Sequence, residues 1–330
     1  GDSAGRGGLA QTEVPLKYRS TLIYFALAVL LVAFYFYETR KEEKAKSAEE
    51  ETLALFSIKP DDVTGFVLKR GDQEMRFEKK SGTWEIVHPV RSDADAFALT
   101  RLLGKLTGLK TLRLIAESPK DLAEFGLHQP EVTLVFKAGD QDNTLFIGAV
   151  SPIEKGYYVS KGGDKKVYFI SGDDKRALDR PLYELREKRL FNLKTEGVQR
   201  VAIERKGELW VLNKKEGKWS FEGHEELKLD TEKVEVFVRP TLWAEAQSFE
   251  KEDVTELKPY GLDAPRARVS LSDGSQTEEI IYGNDTAPDR IFSLVKGKPQ
   301  LVTVRKRLLD DLPQTKEDLV ETEKKEETKS

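Results

Sequence analysis

The chain has 330 residues, no cysteine, three histidines, and 54 basic against 58 acidic side chains for a net charge of −4. That composition excludes a disulfide framework, a thiolate metal site and a cysteine nucleophile, and it argues against a His-rich metal centre or a globally basic nucleic-acid binder. Charged residues make up 34% of the chain, above the ~25% of ordinary globular proteins, and the excess sits partly in flanks and linkers.

A short arm, residues 1–20, precedes an uncharged run from Thr21 to Tyr37, TLIYFALAVLLVAFYFY. Its length is at the short end of the roughly 17–25 residues a helix needs to span a bilayer. Only a helix satisfies its own backbone groups in lipid. Tyr18 and Tyr24 near the start and Tyr35, Phe36 and Tyr37 at the end suit the two membrane interfaces, where aromatic rings concentrate. The run has no polar face, which distinguishes it from a core helix with a solvent side. The nearest A-x-small tripeptide, Ala45-Lys46-Ser47, lies behind a charged stretch, so the expectation is an uncleaved single-pass anchor in contact with membrane lipid. Arg6, Lys17 and Arg19 precede the span, whereas Arg40, Lys41, Lys44 and Lys46 follow it. This balance leans against an exported body. The short arm and the large C-terminal body still lead to the expectation that the body is extracytoplasmic.

Residues 38–57 form a charged stalk or linker, helical or solvated. Beyond them the chain repeats itself at an offset of 135 residues. KKSGTW, ending at Trp84, returns as KKEGKW, ending at Trp219; Phe125-Gly126-Leu127 returns as Tyr260-Gly261-Leu262. Pro130 matches Pro265, Gly148 matches Gly283, and Asp95 matches Asp230. A period this long means duplication of a whole domain and excludes a solenoid array. Residues 58–190 are read as the first copy, 191–313 as the second, and 314–330 as a disordered charged tail.

Each copy predicts the same elements. Alternating segments FVLKR, MRFEKK and WEIV, with counterparts VAIER, WVLNKK and WSFE, predict a three-stranded meander. Asp95 then caps a helix whose Leu99, Leu102, Leu103, Leu106 and Leu109 share one face. In the second copy Asp230 is the cap, and Pro240 predicts a kinked or shorter helix. A short helix ends at the aromatic-Gly-Leu triplet, where Gly126 and Gly261 fit left-handed C-caps. Four strands follow, VTLVF, TLFIG, YYVS and VYFI, and a helical stretch from Arg176 to Leu190 closes the first copy. The fold class is α+β: a transmembrane helix, then two tandem copies of one mainly antiparallel sheet-plus-helix domain.

The set Gly82-Thr83-Trp84, Phe125-Gly126-Leu127, Pro130, Ile147-Gly148 and Tyr158-Val159, behind an N-terminal anchor, resembles an uncharacterised bacterial membrane-anchored domain family of the domain-of-unknown-function kind, often encoded beside gliding-motility-type ABC transporters. The second copy matches more loosely, with Tyr282-Gly283 and Phe292-Ser293 at the corresponding places. The resemblance implies an inner-membrane, periplasm-facing neighbourhood and an ABC-type permease or auxiliary subunit as partner. It brings no catalytic residue.

Motifs for chemistry are few. Gly-x-Ser-x-Gly, His-Glu-x-x-His, a Walker loop and a dinucleotide fingerprint are absent from the sequence. Ser293-Leu294-Val295-Lys296 has Ser-x-x-Lys spacing but falls in a predicted strand. Asp140-Gln141-Asp142-Asn143 would place Ser151 where a calcium loop needs a bidentate Glu, so a hairpin turn is expected there. No catalytic, cofactor or metal residue is assigned. Trp84 and Trp219 are read as core residues rather than ligand platforms. Trp210 and Trp243 occur only in the second copy, where Met75 and Gly108 stand in the first; they are the candidate interface aromatics, with core packing the alternative. The expected function is a non-catalytic scaffold or accessory subunit of an envelope transport complex. The alternatives are a structural subunit of another membrane complex, or an envelope hydrolase with carboxylates in an inter-domain cleft.

Overall fold

The computed structural model describes residues 24, 29–39, 54–194 and 197–321. Residues 29–39 form a helix, α1, on which Val29 to Val32 and Phe34 to Tyr37 are exposed, as is Tyr24 before it. Tyr18 and residues 21–23 and 25–28 of the expected span lie outside the described residues. Among the described residues, no helix is long and apolar enough to cross a membrane.

The chain divides into two compact units. One takes the described residues up to Val63 with Leu102–Leu178, the other Thr64–Arg101 with the chain from Asp179 onward. The second unit holds the first-copy meander, β1 (Val63–Arg70), β2 (Gln73–Lys80) and β3 (Thr83–His88), extended by a two-residue β4 (Ser92–Asp93). Its tight turns explain the register. Ser81-Gly82 joins β2 to β3 with positive φ at both residues, as do Lys206-Gly207 and Glu216-Gly217 in the second copy. Such two-residue turns match the right-handed twist of the strands they join.

α2 (Ala96–Thr107) starts where the sequence places it, with the Ala98 amide donating to Asp95 Oδ1 at 2.9 Å. Leu99, Leu102, Leu103 and Leu106 are buried along it. The first unit carries β5 (Arg113–Ala116), β6 (Val132–Ala138), β7 (Gln141–Val150), β8 (Gly156–Lys161) and β9 (Val167–Ser171), hydrogen-bonded in the order β6-β7-β8-β9-β5. The β6–β7 turn is Gly139-Asp140, so Gln141, Asp142 and Asn143 belong to the strand. The single helix expected over 176–190 is instead α3 (Gly172–Leu178) and a one-turn α4 (Leu182–Leu185). Pro181 separates them, because it lacks an amide hydrogen and disfavours helical backbone in the residue before it.

In the second unit β10 (Arg200–Arg205), β11 (Glu208–Lys215), β12 (Lys218–Phe221), β13 (Ser248–Lys251), β14 (Ala267–Ser272), β15 (Thr277–Ala287), β16 (Arg290–Val295) and β17 (Leu301–Arg305) form an eight-stranded sheet ordered β12-β11-β10-β14-β15-β16-β17-β13. The run β14-β15-β16-β17-β13 repeats β6-β7-β8-β9-β5, and β12-β11-β10 repeats β3-β2-β1. Tandem α+β domains built by duplication are therefore present in the strand order itself. α5 (Thr231–Leu242) covers the second sheet, capped by Asp230 through the Glu232 and Lys233 amides. It is as long as α2 and passes through Pro240. The expected shortening does not occur, because Pro240 stands in the last turn and removes only one helical hydrogen bond there. A short α6 (Arg307–Asp310) follows β17.

Two segments expected to be linker or tail are packed. The Leu55 amide donates to Leu109 O at 3.0 Å, and the Phe56 ring meets Phe136 edge-on at 5.0 Å. At the other end Leu319 is buried in the second core, and Lys233 Nζ donates to Val320 O at 2.8 Å. Apolar pairs at each end outweigh the charged composition around them. Residues 322–330 lie outside the described residues.

Candidate functional site

The residues that carry the repeat stand in turns, close backbone contacts and cores. Ala123–Phe125 and Lys258–Tyr260 are single 3-10 turns, closed by Gly126 at φ 66° and Gly261 at φ 67°. Each turn lies directly on the next hairpin. A Cβ at Gly148 would stand 2.2 Å from Phe125 O, and one at Gly283 2.1 Å from Tyr260 O. Phe125 then meets Tyr158 edge-on at 5.1 Å, and Tyr260 meets Phe292 at the same distance. Pro130 and Pro265 are half-buried in the loops that lead from these turns into β6 and β14. The motif thus fastens a turn to a strand by close backbone approach.

Trp84, Trp210 and Trp219 are buried. In each copy a lysine lies over the repeated ring: Lys79 at 6.0 Å from the Trp84 centroid, Lys214 at 5.2 Å from that of Trp219. Glu235 of α5 joins the second arrangement, accepting from Trp219 Nε1 at 3.1 Å, Lys214 Nζ at 2.9 Å and Arg239 Nε at 3.1 Å. Burial works to raise the Glu235 carboxyl, but these donors outweigh it and hold it below its usual range. Trp210 belongs to the same core, opposite Ile203 on β10. It is therefore not an interface residue: alternation along β11 turns it inward together with Leu212.

Arg186 is a buried cation. It forms a two-point ion pair with Glu252, at 2.6 and 2.8 Å, and stacks 3.5 Å over the Phe249 ring. Its Nε has no hydrogen-bond partner among the described residues. It lines a cavity of about 280 Å³ with Arg189, Asn192 and Lys298. Lys298 Nζ is engaged there with Leu190 O at 2.8 Å. Among the described residues no cluster of three or more His, Asp or Glu side chains is placed to hold a metal ion.

Trp243 is placed differently. It caps α5, with its amide donating to Arg239 O at 3.0 Å, and it is 56% exposed. Val236, 57% exposed, and Pro240 precede it at helical spacing, so the three form one apolar stripe on the outer side of α5. The stripe is one wall of a groove of about 700 Å³, with Leu308 of α6 among its lining and Arg305, Arg307, Asp311 and Glu245 about it. Arg189 stands 5.8 Å from the Trp243 ring. An apolar floor with a charged rim, carrying Trp and Arg, is the make-up of a recognition surface. Sequence reasoning identified Trp243 alone; Val236, Pro240 and Leu308 were legible only by comparing the helix stripe with its first-copy counterpart.

A family model described as "Domain of unknown function (DUF4340)" matches the chain twice, over residues 84–253 and 219–326. No curated protein and no solved structure matches it.

Proposed function

We propose, for a chain that belongs to the DUF4340 family, that it is a single-pass, membrane-anchored scaffold or accessory subunit, with its two tandem domains outside the cytoplasm beside an ABC-type transport complex. The observation that carries this reading is α1, whose apolar side chains are exposed on every described turn. A helix that is apolar all round requires an apolar surrounding. The uncharged run Thr21–Tyr37 continues that character toward the N-terminus. Support for a scaffold comes from the body itself. Its recurring residues build turns and cores, and its one exposed tryptophan among the described residues, Trp243, lines a groove suited to recognition.

Two measurements test the reading. Sedimentation with membranes should be lost when residues 1–37 are deleted, while circular dichroism of the remaining body stays native. A topology reporter fused after Ser330 should be active only outside the cytoplasm. A reporter active only inside would overturn both the location and the exporter assignment. With the correct topology, a crosslinked pull-down lacking any transporter subunit would reassign the scaffold to another membrane complex.

A further inference from the structure

We propose that the α5 groove of the second copy is a docking site for a partner's amphipathic helix whose apolar stripe is flanked by acidic residues. The argument begins with duplication. Val236, Pro240 and Trp243 correspond to Arg101, Lys105 and Gly108 of the first copy, at the offset of 135. Leu308, just after β17, corresponds to Asp174, just after β9. In the first copy Lys105 and Asp174 form an ion pair between α2 and α3. Burial works to raise the Asp174 carboxyl, yet Lys105 and Ser171 hold it below its usual range. That position is therefore closed by charge in one copy and lined by Pro240 and Leu308 in the other. The same fold is satisfied both ways, so folding does not demand the apolar version. An exposed aliphatic, a proline and a tryptophan in one stripe lose water contact only when something covers them.

The size and charge of the groove select the occupant. Val236 to Trp243 spans about two helical turns, roughly 10 Å, which a partner helix covers with residues at i, i+4 and i+7. Around the stripe the bases protrude and their acids are tucked in. Arg307 is 84% exposed against 26% for its partner Asp311, and Arg239 67% against 16% for Glu235. Arg305 is exposed and has no ion-pair partner among the described residues. Glu245 is the exposed acid on that rim. An approaching segment accordingly meets guanidinium groups first, which favours acidic flanks and disfavours basic ones. The proposal rests on the scaffold reading only in requiring a partner chain, and not on the anchor or on the transporter.

The test uses the full chain with phosphatidylcholine nanodiscs. The probes are two synthetic helical peptides of about five turns with Leu at i, i+4 and i+7, one flanked by Glu and one by Lys. Trp84, Trp210 and Trp219 are buried, so acrylamide quenching of tryptophan fluorescence reads Trp243. Glu-flanked peptide should protect it. Val236→Glu, at an exposed site, should weaken that peptide by about tenfold, the worth of one good interface side chain. The Arg305→Glu, Arg307→Glu pair should weaken it by a comparable factor while leaving the dichroism unchanged. Equal or tighter binding of the Lys-flanked peptide overturns the proposal, as does absence of protection by either peptide. So does a dimer in light scattering that Val236→Glu dissociates, which makes a second copy the occupant. Protection by phosphatidylglycerol vesicles but not by peptide overturns it in favour of lipid. Disc incorporation is read separately by co-elution, so a failed anchor and a failed groove are distinguishable.

Discussion

Tyr282→Phe should stabilise the protein, although it deletes a polar group from the core. Tyr282 on β15 faces Ser293 on β16, and both are fully buried, as is Thr241 on α5. None of the three hydroxyls has a hydrogen-bond partner among the described residues. Burial holds the phenol far above its ordinary range, and the nearby Thr241 hydroxyl offsets only part of that. The first copy fills the equivalent positions with Leu106, Ile147 and Val159, with Ile147 opposite Val159 across the same pair of strands. An apolar version of this core layer therefore already exists in the same chain. A buried polar group without a partner costs about 1–3 kcal/mol. Replacing Tyr by Phe keeps the ring and removes one such group, so a gain of about 1 kcal/mol is expected. For a domain of this size that raises Tm by roughly 2–4 °C. Thermal unfolding of the full chain in a mild detergent, followed by near-ultraviolet dichroism, reads the shift, and Thr241→Val should move it in the same direction. A loss of about 1 kcal/mol in Tyr282→Phe would show that the hydroxyl is bonded, and the reasoning would fail.

Gly148→Ala should destabilise by about 3 kcal/mol or more, because the added methyl meets the Phe125 carbonyl at 2.2 Å. Gly139→Ala, at φ 59° in open space, should cost only about 1 kcal/mol; equal costs in urea unfolding would refute the turn-to-strand fastening. Glu252→Ala should cost about 2 kcal/mol or more by leaving the buried Arg186 without its carboxylate, whereas Arg189→Ala, half-exposed beside Glu187, should cost almost nothing. Acid should also weaken the fold. Burial works to raise Asp95, but the Ala98 amide and Lys188 overcome it and hold it below its usual range; Asp174 and Glu235 are likewise lowered against burial by their donors. Carboxyls depressed in the folded state contribute stability that is fully present above the unfolded values, about 4, and lost as pH falls through the lower folded values. Tm should accordingly drop below about pH 4, and Asp95→Asn should flatten that acid limb; an unchanged limb would mean Asp95 titrates normally.

The sequence by itself determined what depends on local chemistry and on repetition. Gly82 and Gly217 mark their hairpins because glycine enters the positive φ of a two-residue turn without steric cost. Asp95 and Asp230 start their helices because a side-chain oxygen there can accept from the free amides of the first turn. The offset of 135 residues announced two copies, and the strand orders carry them. What sequence could not decide was which apolar residues find cover. Trp210 and Trp243 are both second-copy tryptophans. The first points into the core by alternation on β11, and the second stands on the outer stripe of a helix whose inner side is already filled by Phe237, Val238 and Leu242. Leu319 lies among charged neighbours and Leu55 just past the charged stretch 38–51, yet both are buried by surfaces far away in the sequence. Arg186 is buried because Glu252 and Phe249, more than sixty residues later, supply its charge partner and its stacking face. Burial is a property of surfaces brought together across the chain, so only the tertiary structure could settle it.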